Sequence, residues 1–98
     1  MSPNLLILVA APSLEEPLVD WLLEQEELPT FTSIPISGHG GAGPLSVAEQ
    51  VAGRRRQVMF HVLVDAASAR ALTEDLRVRF PGSGIRYWIT PVLGEGVI

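Results

Sequence analysis

Arg54, Arg55 and Arg56 stand side by side, and His39 and His61 are the only imidazoles in the chain. A guanidinium offers a planar fork of donors suited to a phosphate or a carboxylate. Successive side chains of an extended segment alternate in direction, so at most two of the three arginines share a face. The cluster could hold a phosphate or a carboxylate. The plainer alternative is a solvated cluster neutralised by Glu49 or by the acids of residues 13–27. Just upstream, Gly38-His39-Gly40-Gly41-Ala42-Gly43-Pro44 holds four glycines in seven residues. Such a stretch is mobile and lets backbone approach a ligand closely. Gly82-Ser83-Gly84 could aim backbone amides at an anion, although an ordinary turn explains it equally well.

A metal site needs several ligands at fixed separations. His39, His61 and Glu49 are the candidate metal ligands, but no His-x-His or His-x-x-x-His spacing joins them. A site built on them would have to form between subunits. The alternative for His61 is a half-buried strand histidine, hydrogen-bonded at a subunit interface.

Catalysis finds little support. The chain has no cysteine, no lysine, no Gly-x-Ser-x-Gly elbow and no evident Ser-His-Asp grouping. Glu15-Glu16 and Glu26-Glu27 read as charges at helix ends. The expectation is a protein that is not an enzyme.

Composition narrows the class further. The 98 residues suit one domain, residues 1–98. Hydrophobic residues make up 47% and the mean hydropathy is +0.29, which argues for a folded chain. Seven arginines face eleven Asp and Glu for a net charge of −4, unlike a general nucleic-acid binder. The apolar run Leu5 to Ala11 is far below the roughly 20 residues of a membrane span. The start, Met1-Ser2-Pro3-Asn4, lacks the positive charge of a signal peptide. A cytoplasmic protein without membrane insertion is the expectation.

These candidates need elements to position them. Leu5 to Val9 is a short continuous apolar run, as expected of a strand buried on both faces. Ser13 and Glu16 have capping-box spacing, and Leu14, Leu18, Trp21, Leu22 and Gln25 share a face. This predicts a helix over 13–27, ended by Pro29. Thr30 to Ser37 reads as a strand whose Pro35 suggests an edge position or a bulge. Ser46 to Glu49 is a second capping-box match, with Gly53 as a helix stop, so a short helix is expected within the loop. Val58, Phe60, Val62 and Val64 alternate with Gln57, Met59, His61 and Leu63 in a strand of period two. Asp65 caps a helix that buries Ala69, Leu72, Leu76 and Phe80. After a turn at Pro81–Gly84, Ile85 to Leu93 is the last strand, and residues 94–98 form a tail.

The order is β-α-β-β-α-β. Its simplest packing is an α+β, ferredoxin-like, four-stranded antiparallel sheet with both helices on one face and a long loop between strands two and three. The second face should then be polar. Instead strands one and three are apolar on both faces, and strand four adds Trp88. A free chain seldom tolerates such a patch, so a second protein surface is expected to cover it. The loop from Gly38 to about Gly53 is much longer than a hairpin needs, and loops of that length are usually functional or disordered.

With these features in place, the chain resembles the PII-like signalling proteins. It is most similar to a small PII-like family often found beside heavy-metal efflux genes. The resemblance spans nearly the whole sequence. It is carried by Ala11-Pro12-Ser13-Leu14-Glu15-Glu16, Asp20-Trp21-Leu22-Leu23, Phe31-Thr32-Ser33, Ser37-Gly38-His39-Gly40, Leu45-Ser46-Val47-Ala48-Glu49-Gln50-Val51-Ala52-Gly53-Arg54 and Tyr87-Trp88. The resemblance implies a homotrimer whose sheets face inward and whose ligands sit in clefts between subunits. Each cleft would be lined by the base of the long T-loop (residues 38–53) and by the B-loop before the last strand. Carried over, the ligand-binding residues are Gly38, His39, Gly40, Arg54, Arg56, Gly82, Gly84 and Arg86. An adenine nucleotide or another small anion is the implied ligand. The ordered T-loop would engage a protein partner, a membrane transporter among the classes considered.

True PII proteins read Gly-Asp-Gly-Lys-Ile before the last strand, where this chain has Gly82-Ser83-Gly84-Ile85-Arg86, and its T-loop carries no tyrosine. Two alternatives stand beside the regulator. One is a CutA-like trimer binding a divalent metal through His39, His61 and Glu49, linked to metal homeostasis or efflux. The other is an adaptor trimer without a small ligand.

Overall fold

The structure is a computed structural model. It describes residues 3–27, 29–40, 47, 50 and 53–98. The elements are β1 (Pro3–Ala10), a 3-10 turn (Pro12–Leu14), α1 (Glu15–Leu23), β2 (Thr30–Gly38), β3 (Arg55–Asp65), α2 (Ala66–Arg79) and β4 (Arg86–Pro91). The four strands form one antiparallel sheet in the order β2-β3-β1-β4. This is the β-α-β-β-α-β, ferredoxin-like arrangement expected from the sequence.

β1 is continuously apolar because it is central. It pairs with β3 on one side and β4 on the other, so neither backbone edge meets water. Its Leu6, Leu8 and Ala10 lie on the helix-covered face with Val58, Phe60 and Val62 of β3. Leu18, Trp21 and Leu22 of α1 and Ala69, Leu72 and Leu76 of α2 close this core. Pro35 sits inside β2, an edge strand, where its missing amide costs no sheet hydrogen bond on the open side.

The two helices are also tied by polar contacts. The Trp21 indole Nε1 donates to Asp75 Oδ2 at 2.7 Å. Arg79, which holds the same carboxylate from within α2, also reaches Glu24 Oε2 at the end of α1 with its Nη1 at 3.4 Å. The Trp21 and Phe80 rings meet edge to face at 6.2 Å. Asp65 caps α2 as expected, accepting from the Ser68 amide at 2.8 Å.

Three expectations are corrected. Ser13 forms no cap. Pro12 starts a tight 3-10 turn, closed by the Leu14 amide on the Ala11 carbonyl at 3.0 Å, which places Ser13 inside the turn. α1 therefore begins at Glu15 with no side-chain cap. It also stops at Leu23, short of residue 27. Gln25 does not continue the apolar face; its Nε2 donates back to the Trp21 carbonyl at 2.8 Å and satisfies the helix end. Glu24, Glu26 and Glu27 would oppose the dipole of a longer helix. Finally, β4 ends at Pro91, where proline offers no amide, and one last rung joins the Val92 amide to the Pro3 carbonyl at 3.1 Å.

The short helix expected within the T-loop lies mostly outside the described residues. Val47 and Gln50 are helical. Gly53 adopts φ 70°, the left-handed conformation of a helix-ending glycine.

Candidate functional site

The triple arginine straddles the start of β3. Arg54 precedes the strand, Arg55 pairs with Gly38, and Arg56 pairs with Ser37. The antiparallel ladder thereby fixes both ends of the long connection against each other. Beside it lies a hollow of about 380 Å³ whose walls include Arg54, Arg56, Ser37, Gln57, Pro12 and Glu15. Both guanidinium side chains of the expected pair thus face one space, together with one carboxylate from the first turn of α1. Arg55 and Arg56 are each engaged within the chain. Gly38 lies against the carboxamide of Gln57, the flexible end of that side chain. His39 follows the strand end and is exposed, as is Gly40 at φ 70°.

The second half of the expected site is the Pro81–Ile85 turn. It borders a hollow of about 390 Å³ against Leu76, Arg77, Phe80 and Tyr87. Gly82 (φ 69°) and Gly84 (φ 76°) hold left-handed backbone that an L-residue adopts only with strain. Two amides of the turn are already used. The Ser83 amide donates to the Phe80 carbonyl and the Ile85 amide to Ser83 Oγ, each at 3.3 Å. Arg77 donates to Tyr87 Oη at 2.8 Å and to Glu74 Oε1 at 2.6 Å, which closes one side. Arg86 lies over the Trp88 ring at 6.0 Å.

The two hollows share no residue. Both lie at the end of the sheet where β1 finishes, because Ala10 pairs with Val58 and Val9 with Arg86. They flank opposite edges, β2 and β4. The arginines start β3 and the glycine turn leads into β4, two strand spacings apart or about 10 Å. A single chain therefore does not bring Arg54 and Arg56 together with Gly82, Gly84 and Arg86.

His39 and His61 are not brought together either. His61 pairs with Thr32, and His39 lies seven residues further along β2 and just past its end, about 24 Å away. Glu49 lies outside the described residues. Among the described residues no three His, Cys, Asp or Glu side chains are grouped to hold a metal.

The face of the sheet away from the helices carries the apolar pattern seen in the sequence. Cross-strand rows run Thr30-Leu63-Leu5-Thr90, Thr32-His61-Ile7-Trp88 and Ile34-Met59-Val9-Arg86. Trp88 is 38% exposed and Ile34 40%. Sequence reasoning overlooked two features of the molecule. Met59 stands next to His61, since alternation alone counts methionine as one more apolar residue. An open hollow of about 600 Å³ also lies at the opposite end of the sheet, with Glu26, Glu27 and Asp65 on its rim.

The whole chain, residues 1–98, matches a family described as a protein of unknown function, DUF3240. A crystal structure of a DUF3240 family protein from Shewanella baltica is similar, with 28% identity and a TM-score of 0.80 over 100% of this chain and 98% of that one. CPII from Thiomonas intermedia is a nitrogen regulatory PII-like protein solved with ADP, AMP and bicarbonate. It shares 16% identity at a TM-score of 0.71, over 99% of this chain and 98% of that one. A putative PII-like signalling protein from Thermus thermophilus shares 23% identity at a TM-score of 0.64, over 93% of this chain and 88% of that one. No curated protein is similar to the chain. The chain belongs to the DUF3240 family and has the fold of the PII-like signalling proteins.

Proposed function

We propose that this protein is a single-domain, non-enzymatic PII-like regulator that works as a homotrimer. It binds a small anion, foremost an adenine nucleotide, in the cleft between neighbouring copies. The separation of the two half-sites carries this reading. Arg54 and Arg56 line one hollow and the Gly82–Gly84 turn another, at the same end of the sheet but on opposite edges. A neighbouring chain can set its own turn beside the arginines, and the exposed Trp88 and Ile34 give that neighbour an apolar surface to cover. The bound ADP, AMP and bicarbonate of CPII, which shares the fold, supply the ligand class. Binding would order the T-loop, residues 38–53, for a protein partner, with a membrane transporter among the candidates. Among the described residues no helix is long and apolar enough to cross a membrane.

The test is calorimetric titration of the purified protein with ADP, AMP, ATP and bicarbonate, repeated on Arg54→Ala and Arg56→Ala. A hydrogen bond to a charged group is worth about 1.5–3 kcal/mol. Each substitution is therefore expected to weaken nucleotide binding about 10–100-fold. Unchanged nucleotide affinity in both variants removes the arginines from the site. Absence of nucleotide binding, with the trimer intact, leaves the adaptor.

A further inference from the structure

His61 Nε2 lies 3.2 Å from Met59 Sδ. The two residues are two apart on β3, so both side chains leave the same face of the sheet, the one without helices. Both are partly buried there. Across the ladder they face Thr32 and Ile34 of β2 and Ile7 and Val9 of β1. None of these immediate neighbours carries a charge, and the charged group that ends the Met59 row, Arg86, is cationic. Asp65, further along β3, is already occupied in capping α2.

A thioether beside an imidazole is a soft, neutral donor pair. Thioether sulfur selects Cu(I), and imidazole also suits copper, whereas carboxylates and water suit magnesium, calcium and manganese. The spacing fits one shared ion. Donors held at about 2.0–2.3 Å from a metal stand roughly 3.2–3.6 Å apart for angles of about 95–110°. The surroundings favour a single positive charge over two. A charge against apolar side chains is costly to desolvate, and a neutral ligand pair does not offset a dication. Angles of about 95–110° are those of a four-coordinate ion, of which one chain supplies two ligands. A second copy packed on the same face would add its own pair.

We propose that Met59 and His61 form a site for a soft monovalent cation, Cu(I) or its analogue Ag(I), on the helix-free face of the sheet. The site differs from the divalent grouping of His39, His61 and Glu49 in its metal class and in using Met59. Both donors come from one chain, so the inference does not depend on nucleotide binding.

Ag(I) is the probe, because it is redox-inert and needs no reductant. The chain has two methionines, Met1 and Met59. Labelling the methionine methyl groups therefore gives two NMR signals, assigned by Met59→Leu. Titration of the full chain is expected to shift the Met59 methyl and the His61 ring signals together, saturating at no more than one ion per chain. Competition for Cu(I) against a chromophoric bicinchoninate chelator should give at least a tenfold loss of affinity in Met59→Leu, a substitution close in volume. Zn(II) affinity should be the same in Met59→Leu as in the parent, and so should ADP affinity. A shift confined to Met1, or Cu(I) affinity equal in Met59→Leu and the parent, overturns the proposal. If Met59→Leu fails to fold, the methyl and imidazole shifts of the parent chain decide it. Loss of ADP binding in Arg54→Ala with Ag(I) shifts intact would separate this site from the nucleotide cleft.

Discussion

Replacing Trp88 with glutamate should break the assembly without unfolding the chain. In the single chain the Trp88 side chain is 38% exposed on the helix-free face. Tryptophan buries up to about 250 Å², so covering the remainder removes about 95 Å² from water. At ~25 cal/mol per Å² this contributes about 2.4 kcal/mol per protomer, or about fiftyfold in the association constant. A glutamate also leaves a charge to be desolvated at the contact. Trp88→Phe keeps most of the apolar area and should weaken association only modestly. Sedimentation velocity across a dilution series reads the assembly directly. Acrylamide quenching provides an independent readout, because the chain has two tryptophans and Trp21 is 3% exposed. Both should resist quenching in the assembled protein, and dilution should release one of them. The reasoning is refuted if Trp88→Glu sediments as the parent does. It is equally refuted if the parent protein is a single chain at tens of micromolar with one tryptophan freely quenched.

Two further predictions concern stability. Trp21→Phe keeps the ring but removes the indole donor to Asp75, and chemical denaturation should show a loss of about 1–2 kcal/mol. For Asp65, the Ser68 backbone amide bonds the carboxylate and holds its pKa below the ordinary 3.8. Its contribution is therefore present above the ordinary carboxylate value and lost as pH falls through the lowered folded-state value. Acid unfolding curves of Asp65→Asn should show a weaker pH dependence over that window than the parent; identical curves would remove Asp65 from the acid response.

The fold was legible because its signals are local and agree with one another. The alternation from Val58 to Val64 gave β3 and both of its faces. The buried stripe Ala69, Leu72, Leu76 gave α2, and Asp65 gave its start. The ends of α1 were not legible for reasons that are also local, but subtler. Pro12 tightens the entry so that Ser13 cannot cap, and the Gln25 side chain takes the Trp21 carbonyl and ends the helix. At the site, the residue types in each half could be named, whereas the distance between halves could not. Sequence order puts Gly82 and Gly84 directly before β4, but only the strand order β2-β3-β1-β4 shows that β4 and β2 are opposite edges. His39 and His61 show the same effect, since proximity on a strand depends on register and not on residue type. Met59 was passed over because a hydrophobic alternation does not distinguish a thioether from an aliphatic side chain.

Glu15 bears on which anion the arginine hollow can prefer. It shares that space with Arg54 and Arg56, so the three side chains together carry one net positive charge at neutral pH. A monoanion such as bicarbonate meets two attractive groups and one repulsive group, and much of its gain cancels. A nucleotide diphosphate spreads several charges over a longer reach. It can place phosphate oxygens against the guanidinium forks, where bidentate geometry is strongest, while its remaining atoms lie away from Glu15. Completing its contacts then requires donors beyond the arginines. Within the chain the arginines start β3 and the Gly82–Gly84 turn leads into β4, two strand spacings or about 10 Å across the sheet, too far for one phosphate group to bridge. On this argument the carboxylate in the hollow and the division of the site between edges favour the same outcome: an extended polyanion held between two copies, not a small anion held by one.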